Sequence, residues 1–229
     1  MWNNIVQGFS EIIQAFYLAT VWMKIPSYGL AIILFTIAVK IVLFPLTRLQ
    51  MNSMRAMQEL QPKIKEIQER YKNKPEKAQQ AVMQLYKEKG VNPMSGCLPL
   101  LIQMPIIFAL FSSLRLFFDP KLHPPYVDLT KAGFLWIENL GQPDPIILPL
   151  LTVVVTFAQQ FFTSMTASGK IDPTQRTMLI IMPLFIGWIA RTLPAGLTLY
   201  WVVFSLFSAV ETLVIRRMSG VAKGAGSKA

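Results

Sequence analysis

Cysteine and histidine are almost missing: Cys97 and His123 are the only ones in 229 residues. A disulfide framework needs pairs of thiols and a zinc site needs several such ligands, so neither can be assembled within one chain. Charge is scarce too. Asp, Glu, Lys and Arg make up 15% of the residues, against roughly 25% in a soluble globular protein, while apolar residues make up 53%. There is no Walker A run, no H-E-x-x-H and no G-x-S-x-G, so nucleotide-driven and common hydrolytic chemistry lack their usual residues. No cofactor is expected. With charge this sparse, lipid is the expected solvent.

A hydrocarbon core about 30 Å thick needs roughly 20 mostly apolar helical residues to cross it. Five runs of that kind occur, at about 27–46, 97–118, 145–165, 176–191 and 195–215. The last two are parted only by Arg191-Thr192-Leu193-Pro194-Ala195-Gly196, where Pro and Gly end one helix and turn the chain back. The predicted fold class is an all-α integral membrane protein with five transmembrane helices.

The net charge of +10 invites a nucleic-acid reading, but topology accounts for it better. With the N-terminus outside, segments 47–93, 166–176 and 216–229 lie in the cytoplasm and hold sixteen of the twenty-two Lys and Arg. Lys24, Arg115, Lys121, Lys131 and Arg191 fall on the exterior side, and Lys40 alone remains inside a span. This is the positive-inside asymmetry, so no specific nucleic-acid partner is expected. Met1-Trp2-Asn3-Asn4 carries no basic residue and Glu11 interrupts the apolar residues that follow. That is unlike a cleaved signal, so the first segment is expected to be retained.

Residues 1–24 place Trp2, Ile5, Phe9, Ile12, Ile13 and Phe16 at helical spacing among polar residues, predicting an exterior interfacial amphipathic helix. The core then occupies 27–217. Within it, 47–92 is a polar island: Met57, Leu60, Ile64, Ile67 and Tyr71 alternate by three and four, and Lys72-Asn73-Lys74-Pro75 breaks the helix. Ala78, Val82 and Leu85 form a returning seam, so a cytoplasmic coiled-coil hairpin about 37 Å long is predicted. Residues 119–144 form the longest exterior connection, rich in Pro and acidic residues, with Tyr126, Phe134 and Trp136 suited to the membrane surface. The basic tail 218–229 is expected to be disordered.

Polarity inside the spans is graded. Lys40 lies in the inner half of the first span, about 5 Å past its centre by helix rise, where a charge costs on the order of 3 kcal/mol by insertion scales. Gln103, Gln159, Gln160, Ser208 and Glu211 also fall in inner halves. Outer halves hold only hydroxyls, Ser112, Ser113, Thr152 and Thr198, which can bond their own helix backbone. A pore would need polar lining through both leaflets; a cavity open to the cytoplasm and sealed outside fits better. Lys40 would be its fixed positive charge, with Thr36 on the same face one turn away. Glu211 is a candidate partner for Lys40.

The stretches Lys40-Ile41-Val42-Leu43-Phe44-Pro45-Leu46-Thr47, Leu60-Gln61-Pro62-Lys63-Ile64, Tyr86-Lys87-Glu88-Lys89-Gly90-Val91-Asn92-Pro93, Gly96-Cys97-Leu98-Pro99-Leu100-Leu101-Ile102-Gln103-Met104-Pro105 and Pro194-Ala195-Gly196-Leu197-Thr198-Leu199-Tyr200-Trp201 resemble the YidC family of membrane insertases over about residues 20–217. The resemblance implies a five-span core around a hydrophilic groove, closed outside, and a hairpin that receives substrates. It implies insertion of nascent membrane proteins with short exterior tails, with the lipid bilayer, the Sec translocon and the ribosome as candidate partners. Thr36 and Trp201 match groove positions, and Tyr200 beside Trp201 is expected to line the groove with them. Lys40 replaces the family's arginine, so the groove must be wet enough to keep an ammonium charged, and Glu211 replaces a commoner glutamine. No large exterior domain or lipid-anchor cysteine is seen, so a minimal member of a bacterial cytoplasmic membrane, N-terminus out and C-terminus in, is expected.

Two rival readings fare worse. A transporter or channel predicts related halves and midplane polar elements, and neither is visible. An intramembrane enzyme using Ser–Lys chemistry finds no serine within helical reach of Lys40.

Overall fold

The computed structural model describes residues 2–92, 98–119, 121–164 and 173–225, with the side chains of 2, 3, 58, 98–103, 173–175 and 216–225 outside the description. Seven α-helices occur among these residues: α1 Trp2–Trp22, α2 Tyr28–Arg70, α3 Pro75–Glu88, α4 Leu98–Phe117, α5 Ile147–Ser164, α6 Pro173–Ala190 and α7 Ala195–Ala225, with one 3-10 turn at Leu129–Lys131. No strand forms among the described residues; one isolated bridge joins Phe134 and Ile137. Tyr28–Arg70, Ile147–Ser164 and Ala195–Ile215 are long and apolar enough to cross a membrane. Met104–Phe117 and Arg176–Ala190 are shorter apolar stretches. Ile41, Val42, Leu150, Ile181, Leu184 and Trp188 point their apolar surface outward from the bundle, as side chains meeting lipid must.

α1 does more than lie amphipathically at a surface. Ile13 and Tyr17 are buried, and the rings of Phe9 and Phe16 both meet Phe35 of α2 edge-on, at 6.0 and 6.1 Å. The Ser113 hydroxyl donates to the Val6 carbonyl at 2.7 Å, tying α4 to α1 and not to its own helix as the sequence suggested. On the opposite face Ile5, Ile12 and Leu18 stay exposed. The same side of α1 carries exposed Gln7 and Glu11, where Gln7 Nε2 donates to Glu11 Oε1 at 3.1 Å, so apolar and polar side chains are mixed there.

The start of α2 is set by polar caps. Thr20 Oγ1 accepts from the Ser27 N–H at 3.2 Å, and Ser27 Oγ accepts from the Leu30 N–H at 3.3 Å, satisfying donors that have no partner in the first helical turn. From there α2 runs unbroken through Pro45 and Pro62 for 43 residues, about 64 Å by helix rise. Span and hairpin arm are therefore one rod, where the sequence reading divided them at residue 47. Leu60 and Ile64 are buried on the arm, while Val82 and Leu85 of α3 are half-buried. α3 starts with Pro75 at its first position, where a missing N–H costs nothing, and Gly90 follows its end at φ 63°.

The connection 121–146 folds over one end of the bundle and does not simply lie on a surface. Val127, Ala132, Ile137 and Leu140 are buried in one cluster with Tyr28, Phe117 and Phe118. Tyr17 stacks on Tyr28 with ring centroids 4.0 Å apart, and Tyr28 meets Phe117 edge-on at 5.2 Å. Main-chain bonds lock the cap to α7: Ala195 N–H donates to Gln142 O and Gly196 N–H to Leu140 O, both at 2.8 Å. The Asp128 N–H donates to the Tyr28 hydroxyl at 3.2 Å. Gly29 lets the loop approach, since a Cβ there would fall 2.1 Å from Cγ of Phe134.

α7 is the central helix, flanked by α2 and α5, with α6 on the far side of α5. A Cβ at Gly187 would lie 2.3 Å from Val153 Cγ2, so α5 and α6 touch at backbone distance, as small residues permit in membrane bundles. The helix of α7 extends to Ala225, beyond Arg217, where the sequence reading expected a disordered tail. Extending an existing helix needs no new nucleus, which favours this continuation.

Candidate functional site

Two helices with no sequence proximity bring opposite charges together inside the apolar bundle. Lys40 Nζ donates to Glu211 Oε2 at 2.6 Å. Lys40 is 4% exposed and Glu211 8%. The Phe204 ring lies under the ammonium, with 4.1 Å from Nζ to its centroid, a cation–π contact that strengthens when desolvated. Phe204 and Glu211 are two helical turns apart on α7 and so share a face; Lys40 meets both. Above them Tyr200 tilts against Phe204 at 5.8 Å and Phe35 against Tyr200 at 6.3 Å, which seals the pair from the capped end.

Other polar groups nearby are occupied by their own helices. Thr36 Oγ1, wholly buried, donates to Ile32 O at 2.6 Å; Ser208 Oγ donates to Phe204 O at 2.9 Å and Thr212 Oγ1 to Ser208 O at 2.8 Å. Hydroxyls satisfied in this way make no demand on a neighbour.

The expected groove residues therefore separate into two places. Lys40, Glu211, Thr36, Tyr200 and Ser208 belong to the α2–α7 interface. Trp201 turns to the other side of α7, where its indole N–H donates to Thr156 Oγ1 of α5 at 3.2 Å. Gln159 and Gln160 are half-buried on α5, and no hydrogen bond among the described residues joins their side chains to the charge pair. Gln103 has its side chain outside the described residues. Lys40 was expected as an open, water-lined positive charge; the structure covers it and neutralises it with Glu211, because α7 packs close enough for a carboxylate to reach.

Sequence reasoning missed two contributors. Phe204 was not singled out as part of the site, although its spacing of seven from Glu211 puts both on one helical face. Thr156 carried no signal beyond being a hydroxyl in an apolar run.

Comparison with known proteins supplies the context for this arrangement. Residues 19–222 match the family described as 60Kd inner membrane protein. A membrane protein insertase YidC of Caldanaerobacter subterraneus subsp. tengcongensis is 38% identical over 199 residues, covering 86% of this chain and 89% of its own. The YidC of Oceanobacillus iheyensis is 41% identical over 199 residues, covering 83% and 75%. That of Campylobacter jejuni is 42% identical over 195 residues, covering 85% of this chain but 35% of its own. The crystal structure of an active YidC insertase with its first transmembrane domain resolved superposes with a TM-score of 0.71 at 31% identity, over 93% of this chain and 46% of the other.

Proposed function

The chain belongs to the YidC family of membrane protein insertases, and from that premise we propose a route by which it carries a client into the bilayer. Five helices, α2, α4, α5, α6 and α7, cross the membrane, with the cap 121–146 outside and the α2–α3 hairpin in the cytoplasm. The N-terminus lies outside and the C-terminus inside, as the basic residues of the hairpin and the tail favour.

A client with a short exterior tail must carry polar groups across about 30 Å of hydrocarbon. A cavity entered from the cytoplasmic side and stopped by the aromatic cap shortens that path. Lys40 and Glu211 form its polar floor at the α2–α7 interface, and the exposed apolar faces of the spans guide the client helix sideways into lipid. The observation that carries this reading is the Lys40–Glu211 pair, since full charges inside apolar spans are costly and mark function. Burial of the client's apolar surface and the membrane potential supply the drive, with no covalent chemistry and no nucleotide. The hairpin would receive clients, with the ribosome or the Sec translocon as delivering partners.

Reconstitution of the full chain into liposomes tests this. Insertion of a small single-span client without ATP, above the level of protein-free vesicles, is the expected result. Ion flux without insertion would overturn it in favour of a channel. With Cys97 replaced by Ser, labelling of cysteines placed at the exposed positions 76 and 135 from opposite sides of the membrane checks the orientation.

A further inference from the structure

A bare cation in an insertion path selects acidic tails; a cation already holding a carboxylate does so far less. Lys40 in this chain is of the second kind. Its ammonium is bonded to Glu211 at 2.6 Å, its open face rests on Phe204, and both charges are at least nine-tenths buried. The hydroxyls of Thr36, Ser208 and Thr212 already donate their protons to their own helices, so none has a proton to offer Glu211 in place of the ammonium. A client carboxylate approaching Lys40 thus meets a neutral pair and must exchange with Glu211.

We propose that Glu211 is a specificity-determining residue that occupies Lys40 at rest as an internal substitute for a client carboxylate, and so weakens selection for acidic tails. This rests on the insertase reading. The exchange is favourable only when the incoming group gives Lys40 a hydrogen bond as good as the one lost, and when the released Glu211 finds water or a client cation. An isolated acidic residue satisfies the first condition and not the second. Removing the internal carboxylate lifts both conditions, and the ammonium then discriminates fully. A charge of either sign left alone at this depth is costly, which is what gives residue 211 its leverage over client choice.

The test uses proteoliposomes of the full chain and two versions of one single-span client, its short tail carrying either Asp or Asn at the same positions. The quantity read is the ratio of protease-protected acidic to neutral tail, after subtraction of protein-free vesicles. Glu211→Gln should raise that ratio roughly tenfold over the unaltered chain, the size expected when one charge-assisted hydrogen bond no longer has to be broken. Glu211→Asp keeps the charge but shortens the reach, so its ratio should fall between the two, and it serves if the Gln variant does not fold. The double variant Lys40→Gln, Glu211→Gln should return the ratio to about that of the unaltered chain, because the effect runs through the ammonium. Equal ratios for Glu, Asp and Gln at 211, or a raised ratio that survives loss of Lys40, would overturn the proposal while leaving the insertase reading intact. Failure of the unaltered chain to insert either client would overturn both.

Discussion

Trp136 is tied to Asp144 by a 2.8 Å hydrogen bond from its indole nitrogen to Oδ2, and the other oxygen of the same carboxylate caps α5. Oδ1 accepts from Ile146 N–H at 2.9 Å and Leu148 N–H at 3.1 Å. One side chain thus starts a spanning helix and anchors the loop that closes the bundle. Asp144→Ala should cost about 2 kcal/mol, a helix cap plus a charge-assisted bond, whereas Asp144→Asn should retain most of the cap. Thermal unfolding in detergent, followed by tryptophan emission, separates the two.

The seat of Phe134 on Gly29 makes a second outcome specific. Any Cβ at position 29 overlaps the Phe134 ring, so Gly29→Ala should displace the loop at a cost of about 1–3 kcal/mol. Protease nicking within 121–146 should accelerate. Phe134→Ala in the same chain should relieve the clash, and a double-variant cycle that came out additive would contradict the contact.

For the buried pair, the sign of the double change matters most. Lys40→Ala should destabilise by about 3–5 kcal/mol by leaving Glu211 without its partner. Lys40→Met with Glu211→Leu should be near neutral, because no charge remains unpaired. Equilibrium unfolding in mixed micelles measures both.

Tyr17 introduces an alkaline limit. Its phenol is pushed above the usual 10.0, chiefly by burial and secondarily by the Asp128 carboxylate. A raised folded value means that its contribution is complete below the unfolded pKa and is lost as pH rises through the folded one. As pH rises above about 10, the ordinary tyrosine value, the midpoint of unfolding should fall more steeply for the unaltered chain than for Tyr17→Phe.

Leu135 sits at φ 54° in the two-residue turn closed by the mutual Phe134 and Ile137 bonds at 2.8 and 2.9 Å. A branched side chain is strained in that left-handed conformation. Leu135→Asn or Leu135→Gly should stabilise by about 1 kcal/mol, read as a rise in melting temperature.

Much of this molecule was legible from residue order. Of the five long apolar runs, those in α2, α5 and α7 form helices long and apolar enough to cross a membrane, because a helix satisfies its own backbone and length and composition carry the signal. The periodic spacing of Leu60 and Ile64 matches their burial on one face of α2. The loop over residues 121–146 was not, because its folding depends on Tyr28, Phe117 and Ala195, which are remote in sequence. The continuity of α2 through Pro45 was hidden too, since proline ordinarily argues for a break.

At the charge pair the division is sharpest. That a lysine and a glutamate fall within apolar runs follows from residue order alone, and the cost of burying either charge follows with it. Their meeting at 2.6 Å, across 171 positions of chain, was decided by the packing of α7 against α2. Periodicity places a side chain on a face of its own helix, but only the packing of two helices determines what that face meets.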